Sequence, residues 1–226
     1  MDTRADSRIM MFVKAPAAGT VKTRLCRDLN PEDVLLLYRA FILDLLDTLA
    51  RSGKEIQICY DPPDAENTVR SWLGLPDRMR MSPQQGNDLG TRMERAFVQA
   101  FAEGCQNALL IGSDIPDLPA DILNQAERAL DTREAVIGPS SDGGYYLIGF
   151  TRDGFLEETF RGMPWSTDAV MARTIAVFEE YKTAFALMPK WHDIDTYKDL
   201  LVLSGDCRRR PQAAPRTREV LIRLGL

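Results

Sequence analysis

Histidine is nearly absent from this sequence, since His192 is the only one among 226 residues. A metal site or a Ser-His-Asp triad that needs a histidine must therefore use that residue or not exist. The G-x-S-x-G motif that carries the nucleophilic serine of many hydrolases is missing as well. The sequence therefore gives no support to a hydrolase triad.

Cysteine is also scarce, and the four cysteines are widely separated: Cys26, Cys59, Cys105 and Cys207. Because no two of them form a C-x-x-C pair, a cysteine zinc site is not expected. Scattered cysteines in a cytosolic chain are most often reduced and structural.

Long hydrophobic runs and an excess of positive charge are both lacking. No apolar run approaches the ~20 residues that cross a bilayer, and the charged N-terminus "MDTRADSR" has no signal-type apolar core. We therefore expect a cytoplasmic protein with no membrane span. The net charge of -5 argues against nucleic-acid binding, and the short basic run at 208–210 is typical of a solvated linker.

Short apolar segments alternate with amphipathic segments along the whole chain. This alternation predicts an α/β fold with a mainly parallel sheet and helices on both faces, Rossmann-like and within one domain. The predicted strands are IMMFVK, EIQICY, RMRMSP, NALLIGSD, EAVIGPS, YYLIGF and TAFALMPK. Ligands of such sheets bind beyond the carboxyl ends of the strands.

Helix caps and one boundary follow from local residue types. Asn30 is predicted to cap the longest helix, Asp117 the helix after the fourth strand and Ser166 a later one. The main domain is predicted to cover 1–204, and 205–226 to form a polar linker and a C-terminal helix that packs on it.

The first strand runs into "KAPAAGTVKTRL", a small-residue turn followed by two cations. Gly19 can supply a positive φ, and such turns present backbone N–H groups to anions. Lys22 and Arg24 add charges that suit phosphate oxygens. The loop is neither a Walker A motif nor G-x-G-x-x-G. A tight turn with two solvated cations is an equally good interpretation of this stretch alone.

Carboxylates follow two further segments at the same predicted edge. Asp114 comes directly after the apolar strand of "NALLIGSD", and Asp193 and Asp195 alternate in "WHDIDTYKDL". In extended backbone the latter two would project to one side. The three together would suit a Mg²⁺ (or Mn²⁺) ion. The alternative is that Asp195 caps the next helix and Asp114 caps a turn.

Two glycine-containing loops complete the predicted edge. "SPQQGNDLG" carries amides, Gln84 and Gln85, that could read a nucleobase, and "GPSSDGGYYLIGF" places Gly143 and Gly144 where a substrate could approach the backbone. Both stretches are equally consistent with ordinary loops before a helix and a strand.

Taken together, these motifs resemble the GT-A-like nucleotide-diphospho-sugar transferase superfamily. The chain looks closest to its bacterial glycosyltransferase-like group of the DUF2064 type, related to the molybdenum-cofactor and phospholactate guanylyltransferases. The resemblance covers nearly the whole chain and rests on KAPAAGTVKTRL, QQGNDLGTRM, GSDIPDL, GPSSDGGYYLIGF, PWSTDAV and DIDTYKDL.

The resemblance implies a role for residues along the whole chain. It implies nucleotide binding by Lys14, Ala15, Gly19, Lys22, Arg24, Gln85, Gly90 and Thr91. It implies acceptor binding by Asp142, Gly143, Gly144, Trp165 and Ser166. It implies a metal held by Asp114, Asp193 and Asp195, with Lys22, Arg24 and Asp114 as the catalytic residues.

Two reactions fit that implication. In nucleotidyl transfer an anionic acceptor, a phosphate or a carboxylate, attacks the α-phosphorus of a nucleoside triphosphate without a general base, and pyrophosphate leaves. In glycosyl transfer a sugar leaves its nucleotide, and Asp142 is the candidate base for the acceptor hydroxyl. The cations Lys22 and Arg24 favour nucleotidyl transfer, because pyrophosphate is the more highly charged leaving group. A non-catalytic nucleotide-binding module is the alternative from another class, and the retained carboxylates speak against it. The sequence leaves open the oligomeric state.

Overall fold

A computed structural model describes residues 7–226 of the chain. Its strands are β1 Ser7–Lys14, β2 Glu55–Asp61, β3 Arg80–Pro83, β4 Asn107–Ile111, β5 Ala135–Pro139, β6 Tyr145–Thr151 and β7 Phe185–Leu187. Its helices are α1 Pro31–Ala50, α2 Glu66–Leu73, α3 Leu89–Ala102, α4 Ala120–Ala129, α5 Val170–Glu180, α6 Tyr197–Arg209 and α7 Pro215–Arg223. Each predicted strand is therefore present in the described residues, and helices occupy the amphipathic segments.

The strands form one seven-stranded sheet in the order β3-β2-β1-β4-β6-β5-β7. Strand β1 lies between β2 and β4 and pairs with both in parallel. Only β6, of the described strands, runs antiparallel to its neighbours, β4 and β5. The predicted mainly parallel sheet is confirmed, and the carboxyl ends of β1, β2 and β4 meet at one edge.

Side chains of the sheet pack into helices on both of its faces, as predicted. Met11 of β1 belongs to the core shared with α1, α2 and α4, whereas Met10 faces the core of α3 and α5. Successive side chains of β1 thus point to opposite faces of the sheet. The strand is apolar throughout because helices cover both faces. The second core is rich in aromatics, with Phe97 packed edge-on against Phe150.

Two of the three predicted caps differ from the structure. Asn30 does cap α1, because its side chain accepts a hydrogen bond from the Glu32 amide at 3.0 Å. Helix α4, however, begins after Pro119 and not after Asp117, and α5 begins after Ala169 and not after Ser166. Asp117 and Ser166 are therefore free to make other contacts.

The alternative that Asp195 caps α6 is excluded. Thr196 is the N-cap, and Thr196 and Asp199 form a reciprocal capping box that satisfies the first amides of the helix. The Asp195 carboxylate is consequently available at the edge of the sheet.

Helix α6 continues four residues past Gly205, where the sequence predicted a linker. Leu203 and Cys207 on its inner face pack with Leu37 and Phe41 of α1 in a third hydrophobic cluster. This burial outweighs the helix cost of one glycine, which is about 1 kcal/mol. The division at 204 stays a prediction, and residues 1–6 of that predicted domain lie outside the described residues.

Helix α7 docks on α1 through a buried carboxylate. Asp44 accepts hydrogen bonds from the amides of Arg216 at 3.1 Å and Thr217 at 2.7 Å, which are the first free N–H groups of α7. The Asp44 side chain is fully buried, so water cannot replace these bonds.

We expect Asp44→Asn to lower the free energy of unfolding by about 2–3 kcal/mol, because a charged acceptor of two amides is lost. Asp47→Asn is the matched control, since Asp47 lies on the same helix, contacts Arg216 and is half exposed. The control should change stability by less than about 1 kcal/mol. Urea unfolding measures both variants, and equal losses would contradict the proposed capping contribution.

No helix within residues 7–226 combines the length and the apolar character that crossing a membrane requires.

Candidate functional site

A cavity of about 530 Å³ opens at the carboxyl ends of β1 and β4, and we call it the strand-end cavity. The loop after β1 forms one wall, and the loop after β4 and the segment before α6 form another. Its lining residues are Phe12, Val13, Lys14, Thr20, Val21, Lys22, Thr23, Arg24, Tyr38, Gln84, Leu89, Arg92, Gly112, Ser113, Asp114 and Asp195.

Lys22 is the centre of the polar contacts in this cavity. Its ammonium lies 2.8 Å from an oxygen of Asp114 and 2.8 Å from an oxygen of Asp195, and it also donates to the Ile194 carbonyl at 2.6 Å. The side chain is only 5% exposed. Burial opposes the charge of Lys22, but the two carboxylates outweigh it and raise the pKa of the ammonium.

The pKa of Asp195 is shifted in the direction that favours its charged form. Burial alone would raise the pKa of Asp195, but the nearby Lys22 and Arg24 hold it below its usual value. The Arg24 guanidinium is 3.6 Å from Asp195 and mostly exposed. Because two carboxylate oxygens converge on one ammonium, Asp114 and Asp195 form a pocket for positive charge that suits a divalent ion.

Cations outnumber carboxylates around the strand-end cavity. Its described lining includes four cationic side chains and two carboxylates, Asp114 and Asp195. The sequence analysis missed one of those cations, Arg92 of α3, which also contacts Asp61 at 3.2 Å. The cavity therefore carries a net positive charge that suits an anionic ligand.

A second cavity of about 270 Å³ adjoins the first, and we call it the aromatic cavity. The two cavities share Phe12, Leu89 and Gly112. The remaining lining residues are Met93, Leu110, Ile111, Asp142, Gly144, Tyr145, Tyr146, Trp165, Ser166, Thr167, Val170 and Asp193.

Asp193 and Asp195, which the sequence predicted on one side, line different cavities. Asp193 lies in the aromatic cavity, where it accepts a short hydrogen bond from Ser140. Burial raises the pKa of Asp193 to about 7, and the charges of Asp114 and Asp142 add to the effect.

The raised pKa of Asp193 makes stability depend on pH. Between about pH 4 and 7 the folded state holds a proton that the unfolded carboxyl has lost, so stability falls as pH rises through that range. We expect Asp193→Asn to remove this decline and to gain stability relative to the parent at pH 8. The exposed Asp153→Asn is the control, and urea unfolding at pH 5 and pH 8 measures all three proteins. Parallel pH profiles would contradict the assignment.

The residues predicted for phosphate binding lie together. Lys14, Lys22 and Arg24 line the strand-end cavity, and Ala15 lines an adjoining recess of about 470 Å³. Gly19 has φ +78°, so the turn does need a residue that tolerates the left-handed region.

Gln85, Gly90 and Thr91, which are predicted for base contact, do not line the strand-end cavity. Gln84, and not Gln85, lines the strand-end cavity, where its amide donates to the Cys59 carbonyl at 2.8 Å. Thr91 bonds to Asp88, the N-cap of α3. A Cβ on Gly90 would lie 2.7 Å from the Trp165 indole nitrogen, so this glycine makes room for a wall of the aromatic cavity.

Four of the five residues predicted for acceptor binding line the aromatic cavity: Asp142, Gly144, Trp165 and Ser166. Gly143 lies behind them with φ +91°, and its carbonyl accepts a hydrogen bond from the Met171 amide at 2.9 Å. A side chain at Gly143 would collide with the backbone of Asp168. Gly143 thus lets the loop after β5 pack against the segment that leads into α5.

Sequence reasoning missed Tyr38 and Ser113, besides Arg92. The Tyr38 hydroxyl accepts from the Lys14 amide at 2.9 Å and lies 3.3 Å from the Ser113 hydroxyl. Tyr38 is on the inner face of α1, where apolar periodicity predicts only core packing. Ser113 precedes Asp114 at a strand end, and that position was a usable signal.

A separate group of possible metal ligands comes from the loop after β4, the segment before α6 and α6 itself. Asp117, His192 and Asp206 each offer an atom within 4.8 Å of the others, and the buried Nε2 of His192 has no hydrogen-bond partner among the described residues. Both oxygens of Asp117 are already engaged, by the Trp191 indole at 3.1 Å and by Arg210 at 3.2 Å. This group does not include the predicted carboxylates.

Comparison with solved structures finds a close relative. A protein from Desulfovibrio desulfuricans G20, described provisionally as a nucleotide-diphospho-sugar transferase, is 37% identical with a TM-score of 0.91. The match covers 96% of this chain and 94% of that one. The predicted resemblance to this superfamily and the assignment to the transferases are confirmed at this level.

Two more distant structures share the fold alone. The CMP:2-keto-3-deoxy-manno-octonic acid synthetase complexed with CTP is 8% identical, with a TM-score of 0.57 and coverage of 91% of this chain and 99% of that one. Rv0371c from Mycobacterium tuberculosis H37Rv, in complex with manganese, is 14% identical, with a TM-score of 0.53 and coverage of 88% and 97%.

Sequence comparison gives the family. No curated protein is found to match the chain. The profile of the family described as "Uncharacterized protein conserved in bacteria (DUF2064)" matches residues 45–167, which is more than half of the chain. With a 37% identical relative of the same fold along nearly its whole length, the chain belongs to this bacterial family.

Proposed function

We propose that the protein is a metal-dependent transferase that takes a nucleoside triphosphate in the strand-end cavity and releases pyrophosphate. The observation that carries this proposal is the lining of that cavity, in which four cations face two carboxylates. A triphosphate brings the negative charge that such a lining lacks, and a bound divalent ion would add to the attraction. The distant relative that is complexed with CTP supports a nucleotide donor.

Each cation has a distinct task in this proposal. Lys14 and Arg24, at the mouth of the loop after β1, contact phosphate oxygens, and Arg92 approaches from the opposite wall. Lys22 orients Asp114 and Asp195, because its ammonium already bonds to both. Lys22 has a positive φ of 49°, which is uncommon for a residue other than glycine.

Asp114 and Asp195, with Asp193 nearby, would hold Mg²⁺ or Mn²⁺. Their fit to a cation is visible in the way two of these carboxylates converge on the Lys22 ammonium. Such an ion neutralises charge on the phosphates when bound. The manganese complex of the distant relative Rv0371c supports this choice of ion.

The acceptor would enter through the aromatic cavity, which meets the strand-end cavity at Phe12, Leu89 and Gly112. An acceptor hydroxyl at that junction would attack the α-phosphorus, and the bond to the oxygen that bridges the α- and β-phosphates would break with release of pyrophosphate. The hydroxyl proton would pass to a carboxylate. Asp142 is the candidate, since its side chain lines the cavity and, among residues 7–226, bonds only to the Gly144 amide.

Glycosyl transfer from a nucleotide-sugar is the second candidate, and one observation favours it. Among the described residues that line the aromatic cavity, none is cationic, and Asp142 and Asp193 both lie there. A neutral hydroxyl acceptor with a carboxylate base fits that lining, and sugar transfer uses such a pair.

Phosphorus NMR of reaction mixtures separates the two reactions. We expect pyrophosphate to accumulate when the protein, Mg²⁺, a nucleoside triphosphate and a panel of hydroxyl acceptors are mixed. Accumulation of a nucleoside diphosphate from a nucleotide-sugar, without pyrophosphate, would show instead that the sugar moves. The Asp114→Asn variant controls for contaminating activities.

A further inference from the structure

The aromatic cavity differs in charge from the strand-end cavity. Its described lining contains two carboxylates, Asp142 and Asp193, and no lysine, arginine or histidine. Lys22 is near enough to influence Asp193, but its ammonium is engaged by Asp114 and Asp195. An anionic molecule in this cavity would therefore meet the exposed Asp142 carboxylate, with no arginine or lysine in the described lining to bind it.

Aromatic side chains line much of this cavity, beside the hydroxyls of Ser166 and Thr167. The Tyr145 ring meets the Trp165 ring edge-on, with the centroids 6.4 Å apart. The hydroxyl of Tyr145 points to the Met93 sulfur at 3.8 Å, and that of Tyr146 donates to the Pro189 carbonyl at 2.9 Å. Burial raises the pKa of both hydroxyls, so the rings stay neutral. Such walls suit a flat apolar body.

The shape of the cavity is fixed by the absence of side chains at two places. Gly90 leaves space for the Trp165 indole, and Gly143 lets the loop after β5 pack on the backbone of Asp168. Leu89, which lines both cavities, separates the apolar walls from the cationic lining next door. The cavity is thus preformed, which lowers the cost of binding.

From this lining we infer that the acceptor is an uncharged or cationic molecule that carries a hydroxyl or amine on an apolar ring, and not a phosphate or a carboxylate. The inference rests on the proposed function, because it takes the aromatic cavity as the acceptor side of a transferase. The ring would lie against Trp165 and Tyr145, and the hydroxyl or amine would donate to Asp142 or Asp193 at the polar end.

Four probes with one ring and different head groups test the inference: benzyl alcohol, benzylamine, benzoate and phenyl phosphate. Saturation-transfer NMR on the full chain with Mg²⁺ measures their binding. We expect benzyl alcohol and benzylamine to bind at least about tenfold more tightly than the two anions. The signal of the first two should disappear in Trp165→Ala, and Asp142→Lys should admit benzoate.

Nucleotide binding, measured by calorimetry on the same samples, keeps this test separate from the proposed function. Trp165→Ala should still bind a nucleoside triphosphate, since Trp165 does not line the strand-end cavity. Binding of benzoate or phenyl phosphate by the parent as tightly as benzyl alcohol would overturn the inference, and so would the failure of all four probes. If the parent fails to bind a nucleotide but still prefers benzyl alcohol and benzylamine, the proposed function is overturned and the inferred preference of the aromatic cavity stands.

Discussion

Asp114→Asn is expected to reduce turnover by on the order of 10²–10³ while leaving the fold intact. Asparagine keeps the shape of the side chain, but it removes one of the two carboxylates that converge at the end of β4. The fold should survive because Lys22 still bonds to Asp195 and to the Ile194 carbonyl, and because Asp114 is one-third exposed. Steady-state kinetics and circular dichroism measure the two effects.

Asp64→Asn is the matched control for Asp114. Asp64 is exposed and lines the recess beside the strand-end cavity, so it tests for a general loss of negative charge near the nucleotide. The control should retain nearly full turnover. A folded Asp114→Asn protein with parental turnover would remove this carboxylate from the mechanism.

Lys22→Met is expected to destabilise the protein by about 2–3 kcal/mol in the absence of a divalent ion. Removing one partner from a buried ion pair costs about 3–5 kcal/mol, and partial exposure of the two carboxylates lowers that figure. Because methionine is unbranched like lysine, the strain of the positive φ is unchanged. The midpoint of thermal unfolding should fall by roughly 4–10 °C.

Divalent ions should reverse much of that loss. An ion that binds between Asp114 and Asp195 stabilises only the folded state, so Mg²⁺ should raise the midpoint more in Lys22→Met than in the parent. Lys14→Met is the control, since Lys14 is exposed and has no ion pair among the described residues. Equal responses of Lys14→Met and Lys22→Met to Mg²⁺ would show that the Lys22 ammonium does not mark a cation site.

The fold was predictable because its signals are local and repeated. Apolar strands alternate with capped amphipathic helices, and that order alone predicts a parallel sheet with two covered faces. The position of Asp114 followed from the rule that ligands lie beyond the carboxyl ends of strands. Asn30 caps its helix as expected because no neighbouring residue competes for that role.

The errors arise where two residues compete or where the partner is distant in sequence. Thr196 takes the cap that Asp195 could have taken, because Asp199 completes the capping box. Lys22 is 173 residues from Asp195, and no spacing rule predicts that contact. The close approach of Trp165 to Gly90 is again a long-range contact, and the base contact of Gly90 stays a prediction. His192 likewise meets Asp117 and Asp206 only through the fold.

The central claim is that a nucleotide and a divalent ion meet at Asp114. Anomalous scattering from manganese, in crystals grown with Mn²⁺ and a nucleoside triphosphate, tests it most directly. The account predicts a peak bonded to Asp114 and Asp195, with the triphosphate in the strand-end cavity beside Lys14 and Arg24. A peak only among Asp117, His192 and Asp206, or a nucleotide bound outside the strand-end cavity, would contradict it.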